Sequence, residues 1–314
     1  MNLYKIVIKP VTSFCSPLQS DTFFGAFCWS YLHKYGEEAL QEMICHSKTG
    51  RPDIIFSNAF PEGRLPMSAG IYNFRKSENG ILSKQERYEQ YIIHKKESRL
   101  ATITLKEFNS IINGTETPYS DGSNSELTTV SWRNMVSREA DSVESIEGAG
   151  SLFEAEETFT KENYDIYIYS SLERNVLDST LDGMFKAGIG AQRSIGKGAF
   201  DIVGALEKFD GFEIPPKPNG FVALSNFIPQ RGDPTEGYYR TLIKYPKLSY
   251  VSAEEDSPFK KPFIFLEAGS VFCTHPVKEF YGSCIERVAL KGSIVSDEIV
   301  IGAYTVAIPC YMPY

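Results

Sequence analysis

The chain opens with an alternating pattern of side chains and then changes to a helical one. Residues 3–11 alternate between apolar and polar side chains, which predicts a half-buried strand. An apolar helical face follows, formed by Phe23, Phe24, Phe27, Cys28, Tyr31 and Leu32. We expect Ser20 and Asp21 to cap this helix and Gly36 to end it. A second short helix is predicted over residues 37–46.

Weaker patterns cover the next hundred residues. They predict strands at residues 54–57, 71–74 and 99–105, a proline-broken loop at 58–67 and a helix at 83–94. Residues 111–163 are rich in Ser, Thr, Asn, Gly and Glu. We interpret this stretch as an insertion that forms, in part, a mobile hairpin.

The first half closes with a strand, a helix and another strand. Residues 164–170 predict the strand, and an apolar face over residues 177–185 predicts the helix, with Asp178 or Ser179 as its N-cap. The last strand is predicted to run from Phe200 to Gly204. The resulting order is the β-α-β-β-α-β arrangement of ferredoxin-like domains, which RRM modules share. The aromatic RNP motif of the RRM is absent, so stacking of RNA on the sheet is not implied.

The second half is rich in predicted strands. A linker at residues 214–220 precedes strands at 221–227, 238–244, 263–267, 271–272 and 299–308. We interpret this half as a reduced copy of the first unit with shortened helices. The predicted fold class is therefore α+β, with two ferredoxin-like (RRM-like) domains at residues 1–213 and 214–314.

The chemistry of the chain concentrates in a glycine-rich loop at residues 187–200, A-G-I-G-A-Q-R-S-I-G-K-G-A-F. It contains Gly188, Gly190, Gln192, Arg193, Ser194, Gly196, Lys197 and Gly198, and no acidic residue. Glycine allows close approach to backbone amides, and amides together with Arg and Lys form an anion site. We expect the anion to be a nucleic-acid backbone. The dinucleotide and Walker patterns do not fit, because this loop leads from a helix into a strand. A long turn with Gly188 as a helix cap remains the alternative.

Composition narrows the class of protein. The 314 residues carry a net charge of −8, which argues against a free-standing nucleic-acid binder. Residues 139–157 contain seven acids and no Lys or Arg, whereas the loop contains two bases. This asymmetry suits a subunit that shares its nucleic acid with protein neighbours. No signal peptide or membrane-spanning run is evident, so we expect a cytoplasmic protein. The six cysteines form no C-x-x-C pair, and we expect free thiols, no metal and no cofactor.

Four stretches resemble a known family. They are F-C-S-P-L-Q-S-D-T-F-F-G-A-F-C-W at residues 14–29, S-N-A-F-P-E-G-R-L-P at 57–66, G-I-G-A-Q-R-S-I-G-K-G at 188–198, and K-K-P-F-I-F-L-E-A-G-S-V-F at 260–272 with the closing I-G-A-Y-T-V-A-I-P. In this order they resemble the RAMP superfamily of CRISPR-associated proteins. Within it, the chain is similar to the fourth Csm subunits of type III-A effector complexes.

The resemblance implies a function and partners. It implies a clamp on the repeat-derived 5′ handle of crRNA, and contacts with the large polymerase-like subunit and the neighbouring backbone RAMP. It also implies that the insertion is a thumb-like hairpin that interrupts the duplex between target RNA and the 5′ end of the guide. Arg133 and Arg138 are the candidate RNA contacts there, although the family often has a histidine and an aspartate in this motif.

Other candidate RNA contacts lie outside the loop. Ser16, Ser20 and Asp21 stand where the first strand meets the first helix, and a helix N-terminus attracts anions. The alternative for Ser20 and Asp21 is a plain N-cap. Lys186, at a helix end, contacts RNA or complements the helix dipole, and Arg231 contacts RNA or lies on a solvated turn.

Catalysis has few candidates. His33 and His46 are the only early histidines, and His33 is predicted on the polar helix face beside Lys34, where no second acid–base partner is evident. We therefore expect a non-catalytic subunit. The alternatives are a standalone endoribonuclease that processes CRISPR repeats and a protein-interaction scaffold whose loop packs against a neighbour.

Overall fold

The computed structural model describes residues 1–70, 100–115, 127–134, 152–246, 260–288 and 299–312. The strand predicted at 71–74, the helix predicted at 83–94 and Arg138 lie outside these residues. The architecture is mixed α/β, with several small antiparallel sheets and three described helices.

The structure describes twelve elements in the first part of the chain. They are β1 (Asn2–Pro10), α1 (Ser20–Lys48), β2 (Ile54–Phe56), β3 (Phe60–Pro61), β4 (Arg64–Pro66), β5 (Thr102–Thr104), α2 (Leu105–Ile112), β6 (Leu127–Asn134), β7 (Leu152–Phe159), β8 (Tyr164–Ser170), α3 (Arg174–Lys186) and β9 (Phe200–Lys208). A 3₁₀ turn at Arg193–Ile195 precedes β9.

The first sheet has the strand order β2-β8-β1-β9, and all its pairs are antiparallel. Alternate residues of β1, Tyr4, Ile6 and Ile8, are buried under α1 and α3. The two helices approach closely, because Gly183 of α3 leaves room for Ser30 of α1, whose hydroxyl donates to the Thr180 carbonyl at 2.8 Å. The chain order of strands and helices in this sheet is the predicted one.

Several element ends differ from the prediction. Gly36 breaks α1 at φ +86°, so two helical segments follow one another as predicted, but the N-cap is Gln19 and not Ser20 or Asp21. The first helical amide, of Ser20, donates instead to the side chain of Asn58 at 3.1 Å. Helix α3 begins one turn before the predicted cap, after Glu173. Strand β9 continues beyond Gly204, which adopts φ +77° near a shift in the register with β1.

Helix α2 was not predicted, because residues 99–105 resemble a longer strand. Thr104 ends the strand and caps the helix: its hydroxyl accepts from the Glu107 amide, and the Glu107 carboxylate accepts from the Thr104 amide. This is a capping box, which fixes the change from strand to helix. The helix buries Phe108 and Ile112.

The second part of the chain consists of strands in its described residues. They are β10 (Gly220–Ala223), β11 (Gly237–Tyr238), β12 (Thr241–Lys244), β13 (Phe263–Leu266), β14 (Val271–Cys273), β15 (Phe280–Ile285) and β16 (Ile301–Cys310). Five of them form a sheet in the order β11-β14-β10-β16-β15, while β12 and β13 pair separately. The pattern of apolar and polar residues did not predict strand β15.

Helices of the first part cover the second sheet. Phe108 and Ile112 of α2 pack in one core with Val306 and Ile308 of β16. The hydroxyl of Tyr304 in β16 donates to the Ser47 carbonyl near the end of α1 at 2.6 Å. The predicted shortened helices are not found in the described residues after position 213, where the sheet uses α1 and α2 instead.

The insertion contains the predicted hairpin. Strands β6 and β7 pair antiparallel from Leu127 opposite Phe159 to Asn134 opposite Leu152. Phe14 joins this hairpin to the first part of the chain by an antiparallel bridge to Thr158. The hairpin is thereby placed next to the connection between β1 and α1.

Candidate nucleic-acid interface

The glycine-rich loop joins α3 to β9 and depends on left-handed backbone conformations. Gly188, Gly190, Gly196 and Gly198 have φ between +72° and +85°, and Gln192 adopts φ +61°. A side chain at Gly198 would collide with the Ile189 carbonyl. The glycines are therefore needed for the path of this loop, as predicted.

Most backbone amides of the loop are used to hold its own shape. Amides of this loop donate to acceptors inside the chain at Ile189, Ala191, Ile195, Gly196, Lys197, Gly198 and Ala199. Gly198, for example, donates to the Ser13 carbonyl at 2.8 Å. An amide has one proton, so the predicted cradle of amides around a phosphate is wrong for these positions. An anion at this loop would be bound by side chains.

Lys197 points toward the hairpin. Its ammonium group forms an ion pair with Glu157 of β7 and also donates to the Ser13 hydroxyl at 2.9 Å. The side chains of Lys197 and Glu157 are 25% and 8% exposed. The Ser13 hydroxyl donates to the same carboxylate. Lys197 therefore connects loop and hairpin, in addition to any contact with RNA.

The tip of the loop carries the accessible side chains. Ser194 and Ile195 are exposed, and Arg193 is half-buried beside them. Lys186, at the end of α3, is exposed and forms an ion pair with Asp182 at 2.8 Å. Ser194 and Lys186 are thus exposed and Arg193 is half-buried, and Asp182 reduces the positive charge at Lys186.

Ser16 connects this loop to a groove of about 390 Å³. Its hydroxyl accepts from the Ala191 amide at 2.9 Å, and it occupies the space that a side chain at Gly190 would need. Ser16 also lines the groove. Cys15 lines it too and donates to the Gln192 side chain at 3.7 Å. The connection between β1 and α1 therefore lies between the loop and the groove.

Ser20 and Asp21 point into the chain's interior. Ser20 is 3% exposed, and its hydroxyl donates to the Asn226 carbonyl at 3.0 Å. Both carboxylate oxygens of Asp21 accept from the Lys244 ammonium, at 2.6 and 2.7 Å. These contacts join the two parts of the chain, so we leave both residues out of the candidate interface.

The remaining predicted contacts are Arg133, Arg138 and Arg231. Arg133 lies in β6, where its backbone pairs with Phe153, and Arg138 lies outside the described residues. Arg231 is exposed in a turn that Asp233 holds by accepting from the Gln230 and Gly282 amides. None of the described contacts of this turn reaches the glycine-rich loop.

Sequence reasoning missed the residues that the hairpin contributes. Glu157 and the groove residues Thr128 and Glu156 carry no motif of their own, and neither does Ser13 in the connection between β1 and α1. No local signal marked them, because residues 152–159, L-F-E-A-E-E-T-F, do not alternate between apolar and polar side chains.

The two early histidines occupy different surroundings. The ring of His33 lies 6.2 Å from the ring of Trp29, and His46 bonds Asp53 at 2.8 Å. Within the described part of the chain, no group of three or more His, Cys, Asp or Glu side chains has the arrangement of a metal site. No helix among the described residues has the length and hydrophobicity needed to span a bilayer.

Comparisons with known proteins give the class of fold. No protein-family model and no curated protein matches the chain. Solved structures do: a Csm1–Csm4 cassette in complex with AMPPNP contains a chain that matches with a TM-score of 0.62 and 18% identity, over 99% of both chains. A Csm3–Csm4 subcomplex of the type III-A CRISPR-Cas interference complex matches with a TM-score of 0.61 and 15% identity, over 98% of this chain and 99% of that one.

The chain therefore has the fold of a subunit of type III-A CRISPR-Cas interference complexes. Csm4 is the component that these two structures share, and a further Csm1–Csm4 cassette, bound to cA3, matches with a TM-score of 0.59 and 17% identity over 99% of both chains. The resemblance predicted from the sequence is confirmed as a likeness to Csm4 in fold.

Proposed function

We propose that this chain is a non-catalytic subunit of a type III-A CRISPR effector complex, in which it binds the 5′ handle of crRNA in antiviral defence. Its protein partners are a large polymerase-like subunit and a backbone RAMP subunit. The main support for this proposal is the fold. Over nearly its whole length, the chain matches the component common to a Csm1–Csm4 cassette and a Csm3–Csm4 subcomplex.

The glycine-rich loop is the handle-binding element in this proposal. Arg193 and Ser194 are adjacent at the loop tip, Lys186 is exposed at the end of the helix that leads into the loop, and the loop is held by its own hydrogen bonds. A pre-formed surface loses little conformational entropy when a ligand binds. Arg forms two parallel hydrogen bonds to a phosphate, which makes Arg193 the main contact.

The β6–β7 hairpin is the element that meets target RNA near the 5′ end of the guide. Its support is the exposed aromatic side chain of Trp132, which is 66% accessible. Exposed aromatic rings stack on unpaired bases. The ion pair between Lys197 and Glu157 connects this hairpin to the handle-binding loop.

We also propose that the chain does not cleave RNA. His46 already pairs with Asp53 beyond the end of α1, and His33 lies beside Trp29 on the exposed surface of that helix. Neither histidine has a described contact with the glycine-rich loop. The test is to incubate repeat RNA with the purified chain. We expect the RNA to stay uncut. Cleavage by the wild-type chain that is lost in His33→Ala would establish an endoribonuclease.

Two ferredoxin-like halves, divided near residue 213, are part of the proposal. Supporting it, S-N-A-F-P at residues 57–61 and S-N-F-I-P at 225–229 occupy similar positions after β2 and β10. The Ser57 hydroxyl accepts from the Tyr167 amide at 2.9 Å, and the Ser225 hydroxyl accepts from the Val306 amide at 3.0 Å. Asn58 and Asn226 bond each other between them.

The experiment compares crRNA retention by the reconstituted complex with wild-type chain and with Arg193→Ala, over a series of salt concentrations. Loss of one phosphate contact should lower the slope of log affinity against log salt by about 0.7. Arg51→Ala is the matched control, because Arg51 is exposed beyond the far end of α1. An Arg193→Ala complex with unchanged affinity and slope would refute RNA binding by the loop and favour a protein-interaction role.

A further inference from the structure

We propose that the groove beside the glycine-rich loop binds one guanine base of an RNA strand, and that Glu156 recognises its Watson–Crick edge. This rests on the proposed function, since it places the base next to phosphates at Arg193 and Ser194. It adds a specificity that the fold alone does not supply.

Four segments line the groove. The connection from β1 to α1 contributes residues 14–19, the segment after β2 contributes residues 58–60, the hairpin contributes Thr128, Glu156 and Thr158, and β8 contributes Tyr164. Its volume of about 390 Å³ lies at the lower end of the range for small-molecule sites, about 300–1,000 Å³. It is therefore suited to one nucleotide and not to a folded RNA element.

The groove is next to the loop through a shared residue. Ser16 lines the groove and also accepts from the Ala191 amide of the loop. Cys15 lines it and contacts Gln192. A strand whose phosphates lie along the loop tip can therefore turn a base across this connection into the groove. Single-stranded RNA is commonly recognised by bases turned out in this way.

Glu156 is the charged group that faces this groove. It is exposed, stands opposite Val130 in the hairpin, and has no ion-pair or hydrogen-bond partner for its carboxylate among the described residues. By contrast, the Asn58 side chain at the groove is already bonded to Ser20 and Asn226. Glu156 is thus the charged residue of the described groove wall, with two carboxylate oxygens that can accept hydrogen bonds.

A carboxylate in this position selects among bases. It repels phosphate, so its presence beside a phosphate-binding loop lowers RNA affinity unless it receives hydrogen bonds. Guanine presents two adjacent donors, N1–H and N2–H, which match the two oxygens of a carboxylate. Uracil flanks its single N3–H donor with two carbonyl oxygens, and these face the carboxylate unfavourably. Adenine and cytosine offer one amino donor beside an unprotonated ring nitrogen.

The test measures binding of fluorescein-labelled RNA octamers to the full-length chain by fluorescence anisotropy. The probes are U8 and alternating octamers of uridine with guanosine, adenosine, cytidine or inosine. Wild-type chain is expected to bind the guanosine octamer at least about fivefold more tightly than U8. The inosine octamer, which lacks the N2 amine, should bind more weakly than the guanosine octamer.

Two variants separate recognition from net charge. Glu156→Gln should reduce the ratio of guanosine to U8 affinity to about one, because the amide presents a donor as well as an acceptor. Glu154→Gln is the matched control: Glu154 is exposed on the same hairpin face, opposite Trp132, and does not line the groove. It should leave the ratio unchanged.

The possible failures are distinguishable. If the chain binds RNA through Arg193 but wild type and Glu156→Gln show the same base ratio, the guanine site is refuted and the proposed function stands. If adenosine or cytidine is preferred over guanosine, the guanine assignment is also wrong. If no octamer binds, the guanine site is refuted, and the proposed function fails as well where Arg193→Ala leaves crRNA retention unchanged in the complex.

Discussion

At the scale of single residues, charged side chains in this protein divide into those that hold the chain together and those that face its surroundings. Asp21 and Lys197 both sit near the candidate interface, yet each is bound inside the chain, to Lys244 and to Glu157. Lys186 is exposed and pairs with the exposed Asp182, and Arg193 is half-buried at the loop tip. Residue type and position in the sequence did not distinguish these two groups.

Asp21→Asn is expected to lower the free energy of unfolding by about 1.5–3 kcal/mol, because it weakens charged hydrogen bonds to a mostly buried Lys244. RNA affinity of the folded chain should not change. Denaturant unfolding and RNA binding measure the two effects. Asp182→Asn is the control, since its exposed pair with Lys186 contributes at most about 0.5 kcal/mol. A loss of RNA affinity at full stability would return Asp21 to the interface.

Burial of the thiols makes a second prediction at this scale. Burial raises the pKa of Cys28 and of Cys284 from 9.0 to about 12, whereas Cys45 is exposed. The thiolate is the reactive form, so at pH 8 iodoacetamide should alkylate Cys45 at least about tenfold faster. Mass spectrometry of digested samples gives the rates.

The same pKa values predict how stability depends on pH. The unfolded chain ionises these two thiols near their ordinary pKa, whereas the folded chain keeps them protonated. Their contribution to the free energy of unfolding should therefore be lost as the pH rises from 9 toward 12.

For the alkylation experiment, equal rates at Cys28 and Cys45 would contradict the prediction and would show that the helix face carrying Cys28 is open.

At the scale of elements, the glycine-rich loop, the hairpin and the connection between β1 and α1 form one unit. Gly198 donates to the Ser13 carbonyl, Ala191 donates to Ser16, and Lys197 bonds Ser13 and Glu157. The loop is thus held from two sides before any RNA is bound.

Two glycines of the loop make a matched pair for mutation. Gly198 and Gly196 both have positive φ, but a side chain at Gly198 would meet the Ile189 carbonyl while Gly196 faces open space. Gly196→Ala should lower stability by about 1–2 kcal/mol through backbone strain alone. Gly198→Ala should lower it further and weaken RNA binding. Thermal unfolding and anisotropy measure both, and equal losses would mean that the loop path is adjustable.

The contact between loop and hairpin can be measured by a double-mutant cycle. Lys197→Met and Glu157→Gln should each lower the free energy of unfolding. Each substitution leaves the other, mostly buried side chain charged but without an oppositely charged partner. The double variant should lose less than the sum, with a coupling energy of about 0.5–3 kcal/mol. Additive losses would indicate that the two side chains do not interact in solution.

The sequence was informative about elements wherever one pattern dominated. The strand and helix order of the first sheet and the break at Gly36 follow from periodicity and glycine placement, and the hairpin follows from the composition of residues 111–163. Helix α2 was hidden because Thr104 belongs to a strand and a capping box at once. The partners of Ser20, Asp21 and Lys197 depend on tertiary contacts between residues far apart in the chain, and no local pattern carries that information.

At the scale of the whole molecule, the two parts of the chain share a core. Helices α1 and α2 of the first part cover the second sheet, which has no described helix of its own. This explains why periodicity suggested a reduced second domain and could not show what covers it. A continuous core also gives the candidate interface a rigid support, because Ile189 of the loop and Phe14, which bridges to the hairpin, belong to the core of the first sheet.

The central claim is that this chain binds the repeat-derived 5′ handle within a type III-A complex. The most direct measurement is the affinity of the reconstituted complex for crRNA with and without its handle, using wild-type chain and Arg193→Ala. The account predicts that removing the handle weakens binding at least about tenfold with wild type and much less with Arg193→Ala, because the phosphate contacts at the loop are then already reduced. Equal affinity for both RNAs with wild-type chain would contradict it.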